Sequence, residues 1–317
     1  MKARSLKAAV AFYLESRRRL GFALESEGAL LENLVKYAQQ QGHRGPLTTP
    51  LALDWAQIPP SSCSPQRARR LLAVRHFALF WASFDPRTQL PPAGLFGSAY
   101  GPRRPVHIYT PDQLTRLLEA TEQLPTEGLY ARTCHTLLGL LACTGLRSSE
   151  ALALQVPDWD PHSAVLTIRQ SKFGQSRCVP VSLSAAKSLR AYLKTRAQVF
   201  AQPHDPALFL NPRGRALDYD QVRATFAALR QQLGWESLQP QPRLHDLRHT
   251  FTVNCLLGWY RQGQPELNAK ILSLAVYLGH RNIRHTYWYL TAIPELLALG
   301  TARWASALST PKGAAYG

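Results

Sequence analysis

The sequence has 317 residues, of which 45% are hydrophobic, so it is long enough for two domains with apolar cores. Lys and Arg number 37 against 20 Asp and Glu, and the formal charge of +17 favours a polyanionic partner, nucleic acid before an anionic membrane. No stretch approaches the roughly 18 apolar residues of a membrane span, and the five cysteines lack paired spacing, so a membrane-spanning chain and a disulfide scaffold are both excluded.

The N-terminal 85 residues are predicted to form a helical domain. Apolar residues recur at helical spacing over 6–20 and 25–41, and a glycine follows each segment. A short apolar segment at 51–56 precedes a longer helix over 64–84, which begins with a Ser-Pro pair typical of a helix N terminus. Residues 1–110 hold 15 Lys and Arg against 6 Asp and Glu, so this half of the chain is also expected to contact the polyanion.

Three arginines of the 64–84 helix are candidate phosphate contacts. Arg67, Arg70 and Arg75 lie off the apolar stripe of this helix. In a domain with this excess of positive charge, such arginines are expected to contact phosphates. The alternative is an ordinary solvated helix face.

Residues 86–109 are predicted to be a linker between two domains. They include eight Pro and Gly residues, which would interrupt any regular helix or strand. Arg103 and Arg104 add positive charge to the segment and are further candidate DNA contacts. A flexible basic linker would allow the two domains to close around a nucleic-acid duplex.

The second domain, predicted over 110–317, combines helices with one β-hairpin. Helices are predicted at 110–123, which begins with the N-capping sequence Thr-Pro-Asp-Gln, and at 133–143. β-Rich runs at 164–170 and 176–181 flank a short connection that contains a glycine, which indicates a hairpin. The remainder is mostly helical. The sequence therefore predicts a mainly α fold, α+β in class, with a small antiparallel β-sheet in the second domain.

The first chemistry-bearing pattern is Thr144-Gly145-Leu146-Arg147, followed by Glu150. An arginine at a glycine-marked break between helices projects from a fixed corner, and its planar guanidinium can bind two nonbridging oxygens of one phosphate. Glu150 lies three residues later on the same helical face, where it could orient that guanidinium. The alternative is an ordinary ion pair at a helix N terminus.

The second pattern contains His245 and Arg248, whose i,i+3 spacing allows both side chains to converge on a single phosphate. His245 and His249 are also spaced i,i+4 with Asp246 after the first, which is formally close to a zinc-protease helix. However, Arg248 would place a fixed cation beside the metal, and such helices carry Glu where this chain has Asp246. The phosphate-binding interpretation is therefore preferred over a zinc hydrolase.

Lys172 and two residues near the C-terminal end complete the candidate set. Lys172 lies in the turn of the predicted hairpin, where its ammonium could protonate a leaving oxygen; the alternative is a solvated lysine. His280 could donate to a phosphate, and Tyr289 follows it nine residues later. A tyrosine hydroxyl is a poor nucleophile unless its surroundings are strongly electropositive, as they would be here. Tyr287 is the competing tyrosine.

In this order the patterns resemble those of the tyrosine recombinases, the phage-integrase or Xer-like family. The resemblance extends over nearly the whole chain and rests on the Thr-Gly-Leu-Arg-x-x-Glu, His-x-Leu-Arg-His and Leu-Gly-His sequences, the hairpin lysine and the last tyrosine. It implies six catalytic residues, supported by Glu150: Arg147, Lys172, His245, Arg248, His280 and Tyr289. Tyr289 would attack DNA to give a 3′-phosphotyrosyl link, and Lys172 would protonate the departing 5′-oxygen.

The resemblance also implies an organisation and partners. A helical DNA-binding domain is expected at 1–85, the linker at 86–109, and the catalytic domain at 110–317. A C-terminal helix near 294–308 would dock either on a neighbouring protomer or on its own domain. The implied partners are double-stranded DNA at specific recombination sites and a homotetramer assembled on it, with or without sister recombinases. No cofactor or metal is implied, and the expected location is the cytoplasm of a prokaryote, at the nucleoid.

Two departures from the family pattern indicate a particular branch of it. The segment 258–265 is longer than the typical spacing, and the Tyr287-to-Thr291 ending differs from that of common Xer sequences. Both are similar to divergent recombinases of transposons and other mobile elements, so integration, excision or transposition is the expected role. The alternatives are a type IB topoisomerase and a catalytically silent DNA-binding factor. The second is disfavoured because all six catalytic positions hold chemically competent residues.

Overall fold

The computed structural model describes residues 5–58, 60–99, 105–124, 128–169, 176–200, 205–264 and 266–309, the last range without the side chains of 303–304 and 306–309. The chain divides into two compact units, residues 1–104 and 105–317. Each unit has a hydrophobic core of its own. No helix in these described ranges is both long and apolar enough to cross a bilayer.

The described part of the N-terminal unit contains four helices: α1 (Leu6–Arg19), α2 (Glu25–Gln40), α3 (Thr49–Ala56) and α4 (Ser64–Trp81). Their apolar stripes meet in one core, in which Leu31, Leu34 and Phe77 are fully buried. Each such side chain contributes about 1.5–3 kcal/mol relative to leaving it exposed. Trp55 is also buried and donates from Nε1 to Asn33 Oδ1 at 2.9 Å, so its polar atom is satisfied.

The segment 86–109, predicted to be a linker, has contacts to both units in its described parts. The Ser64 hydroxyl of α4 donates to the Phe96 carbonyl at 2.5 Å, so this part of the segment lies on the N-terminal unit. Residues 105–109 belong to the C-terminal unit, where the backbone N–H of Tyr109 donates to Thr250 Oγ1 at 2.9 Å. Residues 100–104, with Arg103 and Arg104, lie outside the described residues.

The C-terminal unit contains nine described α-helices, two short 3-10 helices (Val156–Asp158 and Trp235–Ser237) and three strands. The helices up to the sheet are α5 (Pro111–Glu122), α6 (Tyr130–Thr144) and α7 (Ser148–Leu152). The strands are β1 (Trp159–Asp160), β2 (Val165–Ile168) and β3 (Arg177–Pro180). The helices after the sheet are α8 (Leu183–Val199), α9 (Tyr219–Gln232), α10 (Asp246–Arg261), α11 (Leu267–Tyr277), α12 (Arg284–Ala292) and α13 (Pro294–Ser309).

The three strands form one antiparallel sheet in the order β1-β2-β3. Leu166 at its centre pairs with Trp159 on one side and with Val179 on the other, and all three side chains are buried. The predicted hairpin corresponds to β2 and β3, whereas β1 was not predicted. The expected class, mainly α with a small antiparallel sheet, is confirmed.

Helix α6 occupies the centre of this unit, where it packs against α5, α8 and α10. Its apolar residues Leu137 and Leu141 are almost fully buried, and so is Leu256 of α10 in a second cluster formed with α11, α12 and α13. Helix α13 begins on its own domain, since Leu296 is buried in that second cluster and Glu295 pairs with Arg261 of α10. This packing brings the C termini of α6 and α11 to the N terminus of α10.

Candidate active site

Two helices of the C-terminal unit end at a glycine in the left-handed conformation. Gly145 follows α6 with φ 62°, and Gly279 follows α11 with φ 65°. A Cβ at Gly145 would lie 2.4 Å from the Phe251 ring, and one at Gly279 would lie 3.0 Å from the Arg177 guanidinium. The positive φ favours glycine at both positions, and at Gly145 the space also excludes a Cβ. Each helix therefore stops abruptly and exposes its last carbonyl oxygens.

Carbonyl oxygens at these helix ends accept hydrogen bonds from Arg147 and Arg248, the two arginines predicted from the sequence. Arg248 donates to the carbonyl oxygens of Gly145 at 2.8 Å and Leu278 at 2.7 Å, and Arg147 donates to that of Gly279 at 3.0 Å. The partial negative charge of a helix C terminus stabilises a cation placed there. Burial, with the charge of Arg147, lowers the pKa of Arg248 to about 10. Arg248 is therefore a buried side chain, 3% exposed, that is still cationic at pH 7.

Glu150 connects Arg147 to a third arginine. Arg147 donates from its guanidinium to Oε1 at 2.6 Å and from its backbone N–H to Oε2 at 3.0 Å. Arg177 of β3 donates to the same two oxygens at 3.1 and 2.8 Å, and to the Tyr277 carbonyl at 2.7 Å. Burial alone would raise the pKa of the Glu150 carboxyl, but the bonds and charges of both arginines outweigh it and lower that pKa to about 2.

Arg177 was missed by the sequence analysis, although a signal for it was present. In a strand, residues two apart share a face, so Arg177 lies on the same face as the buried Val179. An arginine on the buried face of a short strand requires an internal partner. Here Glu150 provides it, 27 residues earlier in the chain.

Tyr289 lies in the interior of the site and Tyr287 does not. The Tyr289 side chain is 3% exposed, and its hydroxyl is 2.6 Å from His249 Nδ1. Tyr287 is 38% exposed. Positions two apart on a helix are separated by about 200°, so α12 can direct only one of the two tyrosines inward.

The two predicted histidines lie among these cations. His280 is half-buried, and its Nδ1 is 2.8 Å from the hydroxyl of the buried Thr286. Burial and the charges of Arg248 and Arg147 lower the pKa of His280 to about 3. His245 precedes α10 and is exposed on one side. Desolvation of its ring by the surrounding protein, with the charges of His249 and Arg248, also lowers the pKa of His245. Both rings are therefore neutral at pH 7 in the DNA-free protein.

Residues of the zinc-protease pattern at 245–249 make other interactions. Asp246 is fully buried and accepts from Arg243, at 3.1 Å from Nε and at 2.8 Å from the terminal guanidinium nitrogen. The ring of His249 contacts Tyr289, as described above. Asp246 is thus held by an arginine at the start of α10 and has a structural role in the fold.

Lys172 lies outside the described residues, between the ends of β2 and β3. Its predicted role therefore stays a prediction. The strands on either side are placed by the sheet, and β3 also contributes Arg177 to the Glu150 cluster.

The three arginines of α4 that were predicted to contact phosphates are half-buried and have partners within the N-terminal unit. Arg67 donates to the Pro60 carbonyl at 2.6 Å, and Arg75 donates to a carbonyl of the proline-rich segment after α4. The Arg70 guanidinium lies 5.7 Å from the centre of the Trp55 ring. All three hold parts of this unit together, and their contact with phosphates stays a prediction.

Residues 108–295, more than half of the chain, match the phage integrase family. The putative integrase/recombinase y4rB of Sinorhizobium fredii is 42% identical over 305 residues, which cover 92% of this chain and 95% of that protein. Tyrosine recombinase XerC of Roseiflexus sp. is 30% identical over 226 residues, which cover 70% of this chain and 66% of that protein.

One solved structure is similar in fold along almost the whole chain. The Tn1549 transposon integrase, in complex with transposon right-end DNA, has a TM-score of 0.66 and 18% identity, and the match covers 95% of this chain and 100% of that one. The family match and the identity to its relatives agree with the order of the residues around Tyr289. The chain therefore belongs to the phage integrase family, the tyrosine-type site-specific recombinases.

Proposed function

We propose that this recombinase cleaves a DNA strand by attack of Tyr289 on a phosphodiester, forms a 3′-phosphotyrosyl intermediate, and rejoins the strand to a new 5′-hydroxyl. One observation carries the proposal: of the two tyrosines in α12, Tyr289 is the buried one, and its hydroxyl contacts a histidine of the helix that supplies Arg248. Because the phosphotyrosyl bond replaces the phosphodiester bond, rejoining consumes no nucleotide cofactor.

Arg147 and Arg248 bind the scissile phosphate in this proposal. Their guanidinium groups are held by helix-terminal carbonyls before DNA binds, so little reorganisation is needed as negative charge develops. Each guanidinium has five N–H donors, and the contacts named above use two from each side chain. His245 and His280 donate further hydrogen bonds to the phosphate oxygens, and Lys172 protonates the 5′-oxygen that leaves.

The DNA partner is supported by the charge of +17 and by the complex of the Tn1549 integrase with transposon right-end DNA. We propose specific duplex sites as substrates and a homotetramer on paired sites, with sister recombinases where the element encodes them. Arg67, Arg70, Arg75, Arg103 and Arg104 contribute phosphate contacts in this assembly. A mobile-element role agrees with the transposon integrase of similar fold and with the integrase/recombinase relative.

The proposal is tested by covalent capture of DNA. The probe is a pool of nicked duplexes with random sequence beside the nick, from which cleavage releases a short fragment and leaves the protein covalently attached. Wild-type protein is expected to form complexes that resist denaturing detergent, and Tyr289→Phe is expected to form none while it still binds the selected duplexes. Tyr287→Phe, with the exposed tyrosine changed, is the matched control and should capture DNA normally.

Three outcomes would overturn the proposal. Covalent complexes formed by Tyr289→Phe would remove Tyr289 as the nucleophile, and their loss in Tyr287→Phe alone would reassign it. Relaxation of supercoiled plasmid without any selected site would favour a type IB topoisomerase instead. Sequencing of the captured duplexes reports whether cleavage is site-specific.

A further inference from the structure

His249 contacts the proposed nucleophile directly. It lies on α10, one helical turn after His245, and its Nδ1 is 2.6 Å from the Tyr289 hydroxyl. The two ring centres are 5.6 Å apart, and the Trp288 ring lies 6.2 Å from the His249 ring. Since Tyr289 is buried and His249 is half-buried, the hydroxyl already has a nitrogen base within hydrogen-bonding distance before DNA binds.

Two arginine cations lie near this pair. Arg248 lies on the same helix as His249 and Arg147 precedes α7, whereas the nearby His245 and His280 are neutral in the DNA-free protein. A phosphodiester bound to the two arginines cancels part of their positive charge when the substrate is in place.

We propose that His249 is the general base of the cleavage step and accepts the phenolic proton of Tyr289. The Tyr289 O–H bond breaks as its oxygen bonds to phosphorus, and the proton moves to His249 Nδ1. The bond from phosphorus to the 5′-oxygen breaks, and its electron pair leaves with that oxygen, which Lys172 protonates. In rejoining, the imidazolium returns the proton to the phenolic oxygen. This inference rests on the proposed function.

Two substitutions separate a base from a positioning residue. Asparagine at 249 places an amide oxygen near the position of Nδ1, so it keeps a hydrogen-bond acceptor but cannot take a proton. Alanine removes both functions and leaves space that added imidazole can enter from the exposed side. The probe is a duplex captured by the wild-type protein, synthesised with either oxygen or sulfur at the scissile 5′ position. A thiolate leaves without protonation, so cleavage of the sulfur duplex does not need Lys172 as an acid but still needs His249 as a base.

His249→Asn and His249→Ala are expected to slow covalent capture about 100-fold or more on both duplexes, the usual range for loss of a general base. DNA affinity should stay within about threefold, and imidazole should restore part of the rate of His249→Ala. Lys172→Ala should lower the rate of covalent capture only on the oxygen duplex. His135→Gln, which removes a half-buried histidine bonded to the Leu118 carbonyl away from the site, is the control and should behave as wild type.

The inference fails if His249→Asn captures DNA at the wild-type rate, because the residue would then only position the tyrosine. It also fails if the sulfur duplex restores the capture rate of either His249 variant, because His249 would then act on protonation of the leaving group and not on the Tyr289 hydroxyl. If wild-type protein captures DNA through Tyr289 and both variants do so equally fast, this inference fails and the proposed function stands. If wild-type protein forms no complex that depends on Tyr289, both fail. Thermal unfolding of each variant confirms that it is folded.

Discussion

The first prediction concerns the charge of Glu150, which Glu150→Gln removes without changing the shape of the side chain. The carboxylate is 4% exposed and lies 2.6 Å from Arg147 and 2.8 Å from Arg177. Its pKa is about 2, against 4.5 for the free side chain. At about 1.36 kcal/mol for each unit of pKa, the ionised form contributes about 3 kcal/mol to the stability of the C-terminal unit at pH 7.

The direction of the pH dependence follows from the lower pKa in the folded state. This contribution is fully present above about pH 4.5 and is lost as the pH falls toward 2, where both states bind the proton. At pH 3.5 about 1 kcal/mol of it should already be lost. Glu150→Gln should be less stable than wild type by about 3 kcal/mol at pH 7. At pH 3.5 this difference in stability should be smaller by about 1 kcal/mol.

Urea unfolding of the full chain at pH 7 and pH 3.5 measures this difference, with a separate transition fitted for each unit. Glu295→Gln is the matched control, since it removes the carboxylate of another glutamate–arginine pair in the same unit, one in which both side chains are more than half exposed. Such pairs contribute about 0–1 kcal/mol. A difference between wild type and Glu150→Gln that does not change with pH would refute the assignment of the stabilisation to this carboxylate.

Three further predictions follow from the same site. Gly145→Ala should cost about 2–4 kcal/mol in urea unfolding, because a Cβ there combines left-handed strain with a contact at 2.4 Å from a phenylalanine ring; a loss below 1 kcal/mol would contradict this packing. Arg248→Lys should lower the rate of covalent capture at least about 100-fold with little loss of folding, since an ammonium cannot bridge the two carbonyls and the phosphate; a near-normal rate would refute the geometry. DNA affinity should fall as the pH rises above about 3, because bound phosphate raises the pKa of His280 from its value of about 3 in the DNA-free protein, and His280→Gln should reduce that slope in binding titrations.

Local patterns predicted those parts of the site that lie close together in the sequence. Arg147 and Glu150 are three residues apart, so helical spacing alone predicts their pairing. The glycine after α6 predicts its end in the same way. These inferences need only the geometry of one helix. Helical phase separates Tyr289 from Tyr287, but which of the two is buried follows only from the packing of α12.

The remaining features depend on contacts between distant segments. Arg177 reaches the Tyr277 carbonyl across 100 residues, and Arg248 reaches the Gly145 carbonyl across 103. A main-chain carbonyl is present at every position and leaves no mark in the sequence, so its use as a partner cannot be recognised before the helices are packed. Strand β1 was missed for a different reason: two residues are too few to show an alternating pattern.

The way in which the arginines are held explains how the proposed site would bind an anion. Among the described residues, Glu150 is the one carboxylate bonded to Arg147 and Arg177, and the other named partners of these two, like both partners of Arg248, are carbonyl oxygens. A carboxylate beside each arginine would have cancelled its positive charge, whereas helix termini stabilise the cations with only partial charges of about 0.5 each. Roughly two positive charges therefore remain, which suits the additional negative charge of a pentacovalent phosphate better than the single charge of the phosphodiester. Loss of one arginine should thus reduce the rate of cleavage more than the affinity for DNA.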